Sequence, residues 1–238
     1  MREKPRDGAE TPQAQYEKLL KQGIAVQKEY ESLNARVGKL YDDGKEDEAE
    51  ELGEEREQLE DSMTNYMRQR VELIRTIENL KTIEDAFPRV RTVTKEERKE
   101  VDAAELIRLF NAGKIGQDDL RAAGEQMRSN EPEDLSDKEM KAYATARAEL
   151  AVEMGYEKPS KGEGWFEAQR NGVSFSMKHF AFPSDYGITG NDRISKIGVS
   201  VMRGKTTESV MYYDRGWDSA CTDPEVQREI DRALAIFG

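Results

Sequence analysis

The chain has little of several residue types on which common folds and functions depend. It contains one cysteine, Cys221, and one histidine, His179, among 238 residues. A single cysteine cannot form an internal disulfide, which excludes a disulfide-stabilised secreted domain. No segment approaches the ~20 apolar residues that a membrane-spanning helix needs, and the charged start MREKPRDGAETPQ lacks the apolar core of a signal peptide. These absences predict a soluble cytoplasmic protein with no membrane partner.

Positive charge is scarce relative to negative charge. Lys and Arg number 37 against 49 Asp and Glu, which gives a net charge of -12. A phosphate backbone would repel such a chain, so we expect no direct nucleic-acid partner. Hydrophobic residues make up 36% of the chain and charged residues another 36%, a composition typical of long solvated helices rather than of a large enzyme core.

What the sequence does contain is a heptad pattern within residues 11–87, after a flexible N-terminus at 1–10. Apolar residues recur at alternating steps of three and four on both sides of the turn sequence DDGK. This spacing predicts two helices that pair as an antiparallel coiled coil and turn at Gly44. A single register satisfies both arms: it pairs Leu40 with Ala49, Val37 with Leu52, Tyr30 with Leu59, Val26 with Met63 and Gly23 with Tyr66.

Charge is unevenly distributed over this hairpin. Residues 42–61 hold twelve acidic and two basic residues, a net charge of -10. One interpretation is a solvated tip that keeps the hairpin soluble; the other is a surface that docks on a basic protein face. A homodimer through the hairpin is a further option. The candidate contacts for a partner are Glu46, Glu50, Glu51, Glu54 and Glu55. Arg56 and Arg70 interrupt the apolar seam, and we expect their side chains to extend toward solvent.

Short helices are predicted over residues 88–155. Capping boxes at 94–97 and 136–139 open two of them, and a third begins near Gln117. The Gly- and Lys-rich stretch at 156–164 is predicted to be a linker.

The periodicity changes to two at residue 165, which predicts a small antiparallel sheet. The dipeptide Asn171-Gly172 is typical of a type I′ turn, and it pairs Ala168 with Phe175 and Phe166 with Met177. Further strands are predicted over 194–202 and 209–214, and a capped helix begins with Pro224 near its first position. The fold class is therefore α+β: a helical hairpin, short helices, and a four-stranded antiparallel sheet with a C-terminal helix at 165–238.

Two motifs in this last region carry a resemblance. The stretch SDYGITGNDRISKI at 184–197, followed by YYDRGWD at 212–218, resembles a family of short, uncharacterised phage and prophage proteins with the same Tyr-Gly-Ile, Arg-Ile-Ser-Lys and Tyr-Asp-Arg-Gly-Trp-Asp pattern. The resemblance covers residues 164–237 at most. It implies a mobile-element origin and supplies no catalytic residues.

The motifs also contain an interface-like set of side chains. Aromatic residues beside arginines in loops are the composition expected of a binding hot spot. Strand parity places Tyr212 and Tyr213 on opposite faces, so only part of the set can be core. We expect an exposed edge for a partner formed by Tyr186, Arg193, Tyr213, Arg215 and Trp217.

No catalytic pattern is evident. Four aspartates (Asp185, Asp192, Asp214 and Asp218) have the oxygen ligands that Mg²⁺ or Ca²⁺ prefers, but their spacing fits no metal-binding loop. His179 lacks a partner for general-base chemistry, and Cys221 lacks an activating base. The sequence predicts no catalytic residue, metal or cofactor.

The leading hypothesis is a non-enzymatic interaction protein of mobile-element origin. It would bind and inhibit a host protein with a basic surface, such as a nucleic-acid-handling or defence complex. The alternatives are a self-associating coiled-coil scaffold and a metal-dependent enzyme that uses the aspartates.

Overall fold

The computed structural model describes residues 10–87, 137–161, 165–184, 187–189, 192–214 and 216–238. Over these ranges the chain has the predicted α+β fold, with a helical hairpin, an antiparallel sheet and a C-terminal helix. The helices predicted at 94–97 and near Gln117 lie outside the described residues. None of the described helices is both long and apolar enough to cross a membrane. The helices are α1 (Pro12–Asp42), α2 (Glu46–Glu50), α3 (Gly53–Glu78), α4 (Ile83–Ala86), α5 (Asp137–Glu153) and α6 (Pro224–Phe237).

The hairpin turns where the sequence predicts it. The Thr11 side chain caps α1 by accepting from the backbone N–H of Ala14, with proline in the first turn, and the chain reverses through Gly44 at a φ of 69°. A methyl group on Gly23 would lie 3.4 Å from the Tyr66 Cβ, as the predicted register requires. One departure is a break near Leu52, which separates α2 from α3 within the second arm.

The sheet contains five antiparallel strands in the order β1-β2-β3-β4-β5. The prediction of four strands was wrong because β5 has only three residues, too few for an alternating pattern to appear. The turn at Asn171 and Gly172 has positive φ at both positions, and its register pairs Ala168 with Phe175 and Phe166 with Met177, as predicted. The strands are β1 (Trp165–Arg170), β2 (Val173–Ser184), β3 (Asp192–Arg203), β4 (Thr206–Asp214) and β5 (Trp217–Ser219).

Helix α6 lies at the centre of the molecule. Asp223 caps it by accepting from two backbone N–H groups. The predicted apolar stripe, which includes Ile230, Leu234 and Phe237, is buried. The opposite side of α6 is also buried, because α1 and α3 pack against it. The helix is therefore enclosed between the sheet and the hairpin.

The segment predicted as a linker follows the edge of the sheet. Glu157 pairs with Gln169 of β1, and the Ser160 N–H donates to the Glu167 carbonyl at 2.8 Å. Tyr156 is buried, with its ring edge-on to Phe175 and Phe237. This segment therefore pairs alongside β1 and covers that edge of the sheet.

One prediction about the hairpin seam is wrong. Arg56 is exposed and pairs with Glu60, but Arg70 is completely buried and pairs with Asp231 of α6. A guanidinium can remain inside because a buried carboxylate 161 residues away neutralises it.

Candidate interaction surfaces

The acidic end of the hairpin, residues 42–61, is largely surface. The five glutamates predicted to contact a partner (Glu46, Glu50, Glu51, Glu54 and Glu55) are all exposed. Only two ion pairs form within this end, Lys45 with Glu48 and Arg56 with Glu60. Among the described residues, most of its twelve carboxylates therefore face solvent without an ion pair.

The acidic end projects beyond the other parts of the chain that the structure describes. The last hydrogen bond from α1 to the C-terminal region is made by Glu31, whose Oε1 accepts from the Ala220 N–H at 2.6 Å. Within the described ranges, no hydrogen bond or ion pair links residues 32–58 to the sheet or to α6. Since Asp42 lies about 11 residues farther along α1, the arm extends ~16 Å past this contact at ~1.5 Å per residue.

A small core of its own keeps the projecting arm together. Leu33, Val37 and Ala49 are buried there, with Leu40, Leu52 and Leu59 partly buried around them. Tyr41, next to this core, is 51% exposed. The unpaired carboxylates of the acidic end are thus preceded along the chain by an accessible aromatic ring.

The described members of the predicted aromatic edge are not on the surface. Tyr213 and Trp217 are 7% and 6% exposed, and their rings meet edge to face at 5.5 Å. The Trp217 indole N–H donates to Thr64 Oγ1 at 3.3 Å, and its carbonyl accepts from the Tyr30 hydroxyl. The expectation of exposure was wrong because the hairpin packs over this corner, an arrangement that local strand parity cannot reveal.

Arg193 is buried as well. Tyr186 and Arg215, the other members of the predicted edge, lie outside the described residues. The exposed aromatic side chains nearby are Tyr212, 39% exposed on the outer face of the sheet, and Trp165, 43% exposed on β1. Tyr212 and Tyr213 do lie on opposite faces, as predicted, but the outward ring is Tyr212.

Comparison with known families concerns the same C-terminal region. Residues 163–238 match the family model described as a domain of unknown function, DUF7678. The C-terminal region is a DUF7678 domain. The match nearly coincides with residues 164–237, over which the sequence motifs predicted a family relationship, and its description names neither a source nor an activity. No curated protein and no solved structure matches the chain.

A buried polar network joins the DUF7678 domain to the hairpin. The Arg70 guanidinium donates to both oxygens of Asp231, at 2.8 and 3.2 Å. The Tyr16 hydroxyl donates to the same carboxylate at 2.9 Å, and so does the Gln227 amide, at 2.8 Å. Burial, with the negative charge of Asp231, raises the pKa of Tyr16 well above its ordinary value. The network is therefore a fixed contact between α1, α3 and α6.

Sequence reasoning missed this network, although two signals pointed toward it. Arg70 occupies a seam position of the coiled coil, where a charge needs a partner. Asp231 follows Ile230 on α6, beside the apolar stripe. A third position that the network requires is Gly23, because a methyl group there would overlap with Arg70 Nη1. No local pattern connects the three positions.

His179 and Cys221, the two candidates for reactive chemistry in the DUF7678 domain, are both buried. His179 lies edge-on to Phe166 and Phe237. Burial lowers its pKa well below the ordinary value, and the charges of Arg147 and Arg193 lower it further. Burial raises the pKa of Cys221 to about 11, which opposes formation of a thiolate nucleophile.

The aspartates do not assemble a metal site in the described part of the chain. Asp214 forms an ion pair with Lys196 across β3 and β4, and Asp185 is outside the described residues. Among the residues that the structure describes, no group of three or more His, Cys, Asp or Glu side chains could hold a metal ion.

Proposed function

We propose that the chain is a non-enzymatic interaction protein whose acidic end binds a basic surface of a partner protein. The observation that carries this proposal is the position of the unpaired carboxylates, at the tip of an arm that extends ~16 Å past its last contact with the DUF7678 domain. A projecting arm can enter a concave basic surface that the body of the protein cannot reach. Exposed charge of one sign also accelerates encounter with an oppositely charged partner.

Tyr41 would supply the apolar part of the interface. Charge complementarity contributes mainly to encounter rate and specificity, whereas aromatic anchors in desolvated pockets supply much of the affinity. Tyr41 is half-exposed and is followed in the sequence by Asp42 and Asp43. A basic pocket that admits this ring would therefore be the preferred docking point.

The resemblance of residues 164–237 to phage and prophage proteins supports a mobile-element origin for the protein. In that setting the partner is a host protein in the cytoplasm, of a nucleic-acid-handling or defence complex. Such proteins hold phosphate backbones in basic clefts, and an acidic arm with phosphate-like charge density would inhibit them by occupying the cleft.

Affinity capture from host lysate with four charge reversals tests the proposal. The variant carries Glu50→Lys, Glu51→Lys, Glu54→Lys and Glu55→Lys on the full chain. These side chains are exposed, so the melting temperature should stay within a few degrees of the original value. We expect a partner that wild type captures at 150 mM salt to be lost from the variant.

A matched control changes the same amount of charge elsewhere. Glu29→Lys, Glu72→Lys, Glu149→Lys and Glu157→Lys lie on exposed positions of the body. This control should capture the partner as wild type does. Equal loss from both variants would show that only total charge matters, and retention by the acidic-end variant would refute the proposal.

A further inference from the structure

A groove runs between α1 and the start of α6. Its cavity volume is about 440 Å³, within the ~300–1,000 Å³ range of ligand pockets. Apolar side chains of Leu20, Ile24, Ala25 and Pro224 line it. Leu20 is almost fully buried at 2% exposure, whereas Ala25 is exposed.

Cations surround this apolar lining. Lys21, Lys28 and Arg228 reach the groove from its two sides, and the one carboxylate among the lining residues, Glu17, already pairs with Arg228 at 2.8 Å. Within the described ranges, neither Lys21 nor Lys28 belongs to an ion pair. The groove therefore combines an apolar interior with unneutralised positive charge, on a chain whose net charge is -12.

We propose that this groove receives the acidic end of a second copy of the chain. The two surfaces are complementary in charge and in polarity. The acidic end carries a net charge of -10 and is preceded by the exposed Tyr41, while the groove has a cationic rim and an apolar interior of sufficient volume for an aromatic side chain. Tyr41 enters the groove, and the neighbouring carboxylates contact Lys21 and Lys28.

The contact must be intermolecular. Lys28 and Asp42 belong to one continuous helix, α1, and about 14 residues of straight helix separate them by ~21 Å. A rigid helix cannot bring its own end back to its own side. Each molecule therefore offers one acidic end and one groove, which gives a head-to-tail contact between copies.

Net repulsion between copies does not prevent this contact. The acidic end accounts for -10 of the net charge of -12, so the rest of the chain carries a net charge of only -2. A head-to-tail contact also keeps the two acidic ends apart, at a separation well beyond the ~8 Å Debye length of physiological salt. The association should be strongest at low salt.

The inference goes beyond the proposed function but uses the same acidic end. A basic partner would compete with the second copy, so self-association would mask the acidic end until that partner displaces it. Either idea can fail alone, because capture of a partner does not require the groove.

Two variants that each lose one surface test the contact. The groove variant is Lys21→Glu with Lys28→Glu; the end variant is Tyr41→Ala with Glu46→Lys and Glu50→Lys. In sedimentation velocity at 50 mM salt, the apparent mass of wild type should rise with concentration and return to that of a single chain at 500 mM salt. Each variant alone should remain monomeric under the same conditions, which corresponds to an association constant at least tenfold below that of wild type.

An equimolar mixture of the two variants is the decisive sample. One intact groove then meets one intact acidic end, so the mixture should form a 1:1 dimer and no larger species. Lys21→Arg with Lys28→Arg should associate as wild type does, and circular dichroism checks that every variant is folded. A monomeric wild type at every concentration, or a mixture that stays monomeric, would overturn the inference; so would association of the groove variant equal to that of wild type.

Discussion

The two halves of the hairpin share one heptad pattern but have different surroundings. The base half, residues 16–31 and 60–78, packs on α6 and contributes Arg70 and Tyr16 to the buried network. The distal half, residues 32–59, has only its own small core around Val37. The same periodicity therefore builds a domain contact at one end and a solvated arm at the other.

Both halves of the hairpin form helices, and they differ in what packs against those helices. In the base half, Gly23 leaves space for the Arg70 guanidinium, which in turn reaches Asp231. In the distal half, exposed carboxylates take the place of such a contact. Mutations in the buried contacts of the base half should therefore change the stability of the whole protein, whereas mutations of the exposed carboxylates in the distal half should change only recognition.

The largest expected effect comes from breaking the buried ion pair. Asp231→Ala leaves the Arg70 charge buried without its carboxylate, and we expect the free energy of unfolding to fall by about 3–5 kcal/mol. Urea unfolding followed by circular dichroism measures the change. Replacing the pair by apolar residues, Arg70→Met with Asp231→Leu, should restore most of the loss. A cost below ~1 kcal/mol for Asp231→Ala would show that the base half does not depend on this contact.

Two glycines of α1 provide a sharper comparison between the halves. Gly23→Ala should cost about 1–3 kcal/mol, because the methyl group displaces Arg70 from its hydrogen bonds. Gly38→Ala, in the distal half, meets no atom within 4 Å and should stabilise by about 0.5–1 kcal/mol through helix propensity. Thermal melts of the two variants should therefore shift in opposite directions. Equal shifts would contradict the assigned role of Gly23.

Acid should destabilise the body of the protein through His179. In the unfolded chain this histidine ionises near its ordinary pKa of 6.5, whereas burial keeps the folded side chain neutral to lower pH. The unfolded state binds more protons below pH 6.5, so stability falls as the pH drops, by up to ~1.4 kcal/mol per unit. Urea unfolding at pH 7, 6 and 5 measures this slope.

The matched variant for the acid effect is His179→Phe, which keeps a ring between Phe166 and Phe237. Burial raises the pKa of Glu60, an opposite contribution that remains in both proteins. The difference between wild type and variant therefore isolates the histidine. An unchanged slope in the variant would mean that other groups cause the acid sensitivity.

The smallest effect is expected in the distal half. Glu50→Gln with Glu54→Gln removes two exposed charges, and surface changes of this kind stay within about 0.5 kcal/mol. Urea unfolding should give curves that superimpose on those of wild type. A loss above ~1 kcal/mol would show that these glutamates stabilise the fold, which would end the distinction between the halves.

Local patterns predicted local geometry well. The apolar residues at steps of three and four predicted the hairpin and its register at Gly23 and Tyr66. The dipeptide Asn171-Gly172 predicted the pairing of β1 with β2. Contacts between distant segments were not predictable in this way. The pair of Arg70 and Asp231 is one such contact, and another is the cover that the hairpin places over Tyr213 and Trp217.

Native-state hydrogen exchange tests the division of the hairpin most directly. Cooperative units open with their own free energies. Amides of α3 around Met67 and amides of α6 around Ile230 should exchange with one shared, high opening free energy, since the buried network joins them. Amides around Val37, in the distal core, should exchange with a distinctly lower opening free energy. A single opening free energy along the whole hairpin, different from that of α6, would contradict this account.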